Sequence, residues 1–180
     1  MYNRGFTLIE LIAVILLIAI VAVSVAPKFD GTASYEAHTH RAQLIAALRL
    51  TQQRAMQQTD STETIEGNYC HQIVFDVVDN VSLYGIPDRV DCSNTSFPTP
   101  IKDWIPDGTG HKVDDRYQIT FNINGQVNPK SVGFDWMGRP TGDCITGGVV
   151  GCEINIIHPS EKSLKITIEA EGYIHVFDLP

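Results

Sequence analysis

The chain has 180 residues, a formal net charge of −8, 43% apolar residues and four cysteines. That length suits one membrane segment plus one soluble domain of ordinary size. From Phe29 onward 11 Lys and Arg face 20 Asp and Glu, which argues against a nucleic-acid surface, because affinity for phosphate backbones comes mainly from Lys and Arg.

The first element is an apolar run from Phe6 to Ala26, interrupted by one charged residue, Glu10. As a helix it would measure ~32 Å, against a hydrocarbon core of ~30 Å. A secretory signal has a shorter apolar region with a small-residue cut site behind it. Here no such site precedes Pro27, so the run is expected to stay as an anchor. Arg4 lies on the short side, and the positive-inside rule puts that end in the cytoplasm and the remainder in the periplasm.

Glu10 is the informative residue of this run. A carboxylate at the centre of a membrane helix costs ~3 kcal/mol on insertion scales and somewhat less near the interface. No basic residue lies between Phe6 and Ala26 to neutralise it. Its partner must come from the headgroup zone, from another chain, or from an amino terminus newly exposed by cleavage after Gly5. The alternative is a plain anchor in which Glu10 reaches back to the interface.

Gly5-Phe6-Thr7-Leu8-Ile9-Glu10 followed by the apolar run resembles the prepilin motif of type IV pilins and type II secretion pseudopilins. The resemblance implies a leader of residues 1–5, cleaved after Gly5 by a prepilin peptidase. It implies N-methylation of the new terminal Phe6, and a role for Glu10 in docking subunits into a filament. It also implies other pilin subunits and an inner-membrane assembly platform as partners. Pro27 fits the same pattern. It cannot donate a backbone hydrogen bond and clashes with the preceding turn, so it is expected to kink or loosen the helix there.

An amphipathic helix is expected to follow within residues 27–59, centred on Ser34–Gln58. Ala37, Leu44, Ile45, Leu48, Ala55 and Met56 fall near one stripe at spacings of three and four, while Gln43, Arg49, Gln53 and Gln57 lie off it. His38 and His40 are two apart, point to different faces, and read as solvated residues.

Residues 60–180 read as a β-rich head. Period-two, β-branched patterns predict strands at His71–Val78, Arg116–Ile123, Ser131–Trp136, Cys152–His158, Ser163–Ala170 and Tyr173–Asp178. Gly125, Gly138 and Gly172 mark turns. Asn80–Gly110, rich in Pro, Asp and Ser, is expected to be irregular apart from a short strand at Val81–Tyr84. The expected fold is α+β: a long N-terminal helix, half in the membrane and half amphipathic, on a mainly antiparallel sheet.

Cys70, Cys92, Cys144 and Cys152 all lie in the head, and an even count in an oxidising compartment favours disulfides. Spacing suggests Cys70–Cys92 and Cys144–Cys152, but three pairings exist and the sequence does not choose among them. The sequence has no phosphate-binding glycine loop, H-E-x-x-H or G-x-S-x-G. Asp88/Asp91 and Asp114-Asp115 lack the alternating oxygen ligands of a calcium loop. No catalytic residue, metal, cofactor or small-molecule substrate is expected, and His71, His111, His158 and His175 read as scattered.

The head is also similar to the C-type minor pilins of the mannose-sensitive haemagglutinin pilus and to the H-type pseudopilins of type II secretion. The residues that carry this are Ile119-Thr120-Phe121, the Phe134–Pro140 strand and turn with Trp136 read as core, and Ile166-Thr167-Ile168 ahead of Gly172-Tyr173-Ile174. The reading is a minor structural subunit of such a pilus, with the secretion pseudopilin as the alternative.

Overall fold

The computed structural model describes residues 7–25, 32–57, 70–126, 130–146, 148–159 and 162–176. The chain divides into two compact units, Met1–Tyr35 and Glu36–Pro180. In the first, α1 spans Leu8–Val25. Its start is set by Thr7, whose carbonyl and hydroxyl both accept from the Glu10 N–H, at 3.1 and 3.3 Å. This satisfies one of the donors that every helix N-terminus leaves open.

α2 spans Thr32–Gln57. In the second unit its buried residues are Ala37, His40, Leu44, Ala47, Leu48, Thr51 and Ala55, a stripe at alternating steps of three and four. Gln43, Arg49, Gln53 and Gln57 are exposed, as their positions off the stripe require. Met56 is exposed rather than packed, and Ile45 is half-buried. His40, expected in solvent, is 3% exposed. It sits one turn after Ala37 and one before Leu44, so the helix period carries it inward despite its polarity. His38, two positions away, is exposed.

Two antiparallel sheets complete the head. The strands of the first are β1 (Gln72–Val78), β2 (Val81–Gly85), β3 (His111–Lys112), β5 (Lys130–Phe134) and β6 (Pro140–Gly142), in the order β3-β2-β1-β5-β6. The second has the order β11-β10-β9-β4, from β4 (Thr120–Ile123), β9 (Cys152–Ile157), β10 (Leu164–Ile168) and β11 (Ile174–His175). A two-stranded ribbon joins β7 (Ile145–Thr146) to β8 (Val149–Val150). The β1–β2 hairpin turns through Asp79-Asn80, with φ of 52° and 64°. Two consecutive positive φ values match the right-handed twist of a hairpin, and Asp and Asn tolerate them.

The sheets are buried differently. In the second, Cys152, Ile154 and Ile156 face the main core while Glu153, Asn155 and Ile157 face out, the period-two signature of a one-faced sheet. The first sheet is buried on both faces. Ile73, Phe75 and Tyr84 join α2 in the main core. Val74 and Leu83 point the other way, into a second cluster with Phe97, Ile101 and Trp104. Those three anchors come from the Pro- and Asp-rich excursion between β2 and β3, which is thereby a cover for the outer face and includes a 3-10 turn at Ile101–Asp103.

Cys70 is bonded to Cys92 and Cys144 to Cys152, closing 22 and 8 residues respectively. The first bond ties the excursion to the start of β1. Loop-closure entropy assigns it ~3 kcal/mol and the shorter one ~2.5 kcal/mol. A Cys70→Ser/Cys92→Ser chain should therefore lose about 3 kcal/mol in urea denaturation; an unchanged midpoint would mean that the excursion is held by packing alone.

The strands expected from period-two patterns are shorter than those patterns, by one residue in β1 and β9 and by three in β10, which keeps Leu164–Ile168 of Ser163–Ala170. Residues 115–117 form a 3-10 turn because the Asp114 side chain accepts from Arg116 N, and Gln118 is left-handed at φ 49°, so β4 starts only at Thr120. β5 stops at Phe134, since Asp135 Oδ1 accepts from Met137 N at 2.9 Å and Arg139 N at 2.8 Å and bends the chain into a turn. Trp136, expected in the core, is therefore 71% exposed. The last strand is confined to Ile174–His175, and residues 177–180 lie outside the described region. Gly125, Gly138 and Gly172 are in turns with positive φ. Gly172 has a further requirement: a methyl there would run into Gly138 O and the Gln52 amide, which itself donates to Gly138 O and Gly172 O at 2.7 Å each.

Candidate functional site

Thr7-Leu8-Ile9-Glu10 has the Ser/Thr-x-x-Glu spacing of a capping box, in which the first residue caps the helix and the fourth is a carboxylate in its first turn. The Thr7 Oγ1 contact to the Glu10 N–H is the first half of that arrangement. A carboxylate in the first turn also suits the positive end of the helix dipole. The spacing alone makes this cap legible in the sequence.

Past the cap, every described side chain from Thr7 to Val21 is exposed. The large apolar ones are 39 to 78% exposed. Removing each such side chain from water is worth ~1.5–3 kcal/mol, so covering this stretch of helix would be strongly favourable. Its 18 residues correspond to ~27 Å, slightly short of a hydrocarbon core. Among the described residues, no helix is long and apolar enough to cross a membrane. The expected span of residues 6–26 extends past the described helix at both ends. Gly5, Phe6 and Pro27 also lie outside the described residues.

The acidic loops are occupied by their own backbone. Asp88 Oδ1 accepts from Val90 N and Asp91 N, which hold its carboxyl below the usual range. Asp91 accepts from Ser93 N and Oγ. Asp114 is ion-paired with Arg116, which together with the Arg116 N–H holds its carboxyl low. Burial alone would raise Asp135, but hydrogen bonds from Arg139 and Met137 outweigh it and lower it. Among the described residues no group of three His, Cys, Asp or Glu could hold a metal ion.

Of the histidines, His175 contacts Glu169 at 2.8 Å and stacks on Tyr173 with ring centroids 5.1 Å apart. His158 follows β9, and His71 precedes β1. His40 and His111, 71 positions apart in sequence, are brought to 5.0 Å between ring centroids. No local signal could have announced that pair.

Residues 1–26 match the family model described as the prokaryotic N-terminal methylation motif. No curated protein and no solved structure matches the chain. The matched range includes Gly5, Phe6, Glu10 and the exposed apolar α1, and it supports a membrane-anchored subunit of the type IV pilin-like kind.

Proposed function

We propose that the chain is a minor pilin, the precursor of a structural subunit of a type IV pilus of the mannose-sensitive haemagglutinin kind, serving pilus assembly and surface adhesion. The observation that carries the reading is the methylation motif at residues 1–26, within which α1 presents uncovered apolar side chains.

In this reading a prepilin peptidase cuts between Gly5 and Phe6 on the cytoplasmic side. The new Phe6 amine is methylated and cationic. Glu10 lies four residues on, ~6 Å along a helix axis, and meets the Phe6 amine of a neighbouring subunit. The Leu, Ile and Val side chains of α1 then exchange lipid for the helices of other subunits, and Pro27 loosens the chain between α1 and α2. Lipid contacts are lost as subunit contacts form, so a separate motor acting through the inner-membrane platform drives the exchange. The disulfide-tied head stays folded in the periplasm throughout.

The test is intact mass and N-terminal sequencing of the chain expressed with and without a prepilin peptidase, beside Gly5→Val. The expected result is loss of Met1–Gly5, dependent on both the peptidase and Gly5, with one added methyl group on Phe6. A chain left uncut in the presence of active peptidase would overturn the proposal. Recovery of the processed chain in sheared surface filaments supports the pilus. Retention in the periplasm, with loss of exported proteins on deletion, would assign it to the secretion pseudopilus instead.

A further inference from the structure

The seam between α2 and the edge strand β3 holds an unusual pair. His40 lies on the buried stripe of the helix, 3% exposed, and its Nδ1 has no hydrogen-bond partner. Its Nε2 is 4.0 Å from Glu36 one turn earlier. Its ring packs on that of half-buried His111, at 5.0 Å and a tilt of 56°. His111 stands opposite Tyr84 in the β2–β3 register, with ring centroids 6.1 Å apart. Lys112, next in the strand, takes the other face, where its Nζ donates to Ile101 O at 2.7 Å. Among the described residues, the charged and titratable groups around the pair are Glu36 from α2 and Tyr84 from β2, with Lys112 turned away.

β3 is a weakly held element. It is two residues long, pairs only Leu83↔Lys112 and Tyr84↔His111, and is followed by one further bond, Val113 N to Ser82 O at 2.8 Å. Short edge strands with few ladder bonds belong to the least stable parts of a fold.

We propose that the His40–His111 contact is an acid-sensitive latch, which holds β3 against α2 while both rings are neutral and releases it when they take up protons. Neutral rings can pack face to edge in a seam without water. Protonated, they become two cations about one ring-width apart, with Glu36 as the one carboxylate among the described residues to balance them. An unpaired buried charge is unfavourable, and opening the seam returns it to water.

The sign follows from burial. Desolvation pushes the His40 ring below its ordinary value, His111 adds to the lowering, and Glu36 and Gln43 partly oppose it. Burial likewise lowers His111, opposed by Glu36. In the open seam both rings return to ~6.5. The open state thus binds more protons once the pH falls below about 6.5. The latch is fully closed above that value and weakens as the pH drops through the lowered values of the closed state.

The experiment is amide hydrogen exchange on the full chain in detergent micelles at pH 7, 6 and 5, corrected for intrinsic exchange, with His40→Leu/His111→Phe alongside. Opening at residues 82–85 and 111–113 is expected to speed up several-fold from pH 7 to pH 5 in the parent chain and to stay flat in the variant. No acceleration in the parent, or the same acceleration in the variant, would overturn the proposal. Should the double variant fail to fold, ring titration in the parent chain by NMR decides: a His40 ring titrating at or above the free-histidine value overturns it, and one titrating below supports it. Opening of the seam at pH 7 by excess EDTA would make the rings metal ligands and would also overturn it. Because the readout is local to the head, it is independent of whether the N-terminus is processed.

Discussion

Glu10→Gln is expected to leave cleavage after Gly5 and membrane anchoring intact and to remove the chain from filaments. The substitution keeps size and hydrogen-bonding shape and deletes only the charge. A lone carboxylate opposes membrane insertion by up to ~3 kcal/mol, so a plain anchor would be neutral or improved by its loss. A docking residue behaves in the opposite way. In an assembled fibre, a cationic Phe6 amine packed among apolar helices would be left without its counter-charge, and breaking a buried pair by removing one partner costs ~3–5 kcal/mol. That is more than a hundredfold per subunit added. The measurement is the fraction of processed chain in sheared filaments against membranes, by immunoblot, for parent, Glu10→Gln and Glu10→Asp. Normal incorporation of Glu10→Gln would reduce Glu10 to an interfacial carboxylate and sink its docking role. Thr7 remains the cap in all three chains, because its contact is to the Glu10 backbone N–H rather than to the side chain.

The N-terminal motif was legible in the sequence because its signal is chemical and contiguous. Gly5, Phe6 and Glu10 stand at fixed spacing ahead of an apolar run, and the family match spans that stretch. The α2 stripe and the alternation of β9 were legible for a similar reason, since burial there follows a single period. Readings failed where one side chain redirected the chain. Asp135 ends β5 before Trp136, although Val132, Phe134 and Trp136 continue a perfect alternation. Asp114 does the same ahead of β4. His40 was misplaced by residue type, although its position between Ala37 and Leu44 put it on the buried face. The excursion is irregular apart from its 3-10 turn, as its composition predicts. Composition hides Phe97, Ile101 and Trp104, three anchors among Pro, Asp and Ser, which acquire their meaning only when they meet Val74 and Leu83 across the sheet.

Trp104→Ala should test that second core with the largest loss of stability, about 3–5 kcal/mol. The indole is 6% exposed, donates from Nε1 to Ile86 O at 3.0 Å, and meets Phe97 edge-on at 4.8 Å. Gly85 and Gly110 abut its ring so closely that a methyl at either would be within 2.8 to 3.1 Å of it. The site is therefore shaped around a planar ring, and truncation leaves a cavity that backbone on two sides cannot fill. Lys112 Nζ, 5.6 Å above the same ring, would lose a cation–π contact as well. The check is urea denaturation followed by far-UV circular dichroism, with Trp104→Phe beside it. Phenylalanine restores most of the volume but not the bond to Ile86, so it should recover more than half of the loss. A deficit below ~1 kcal/mol for Trp104→Ala would mean that the excursion lies loosely on the sheet. The same side chain bears on the latch from behind. β3 is held between Trp104, through Lys112 on one face, and His40, through His111 on the other. Loss of the indole should therefore accelerate exchange at residues 111–113 already at pH 7, where the histidine contact alone would have kept the strand closed.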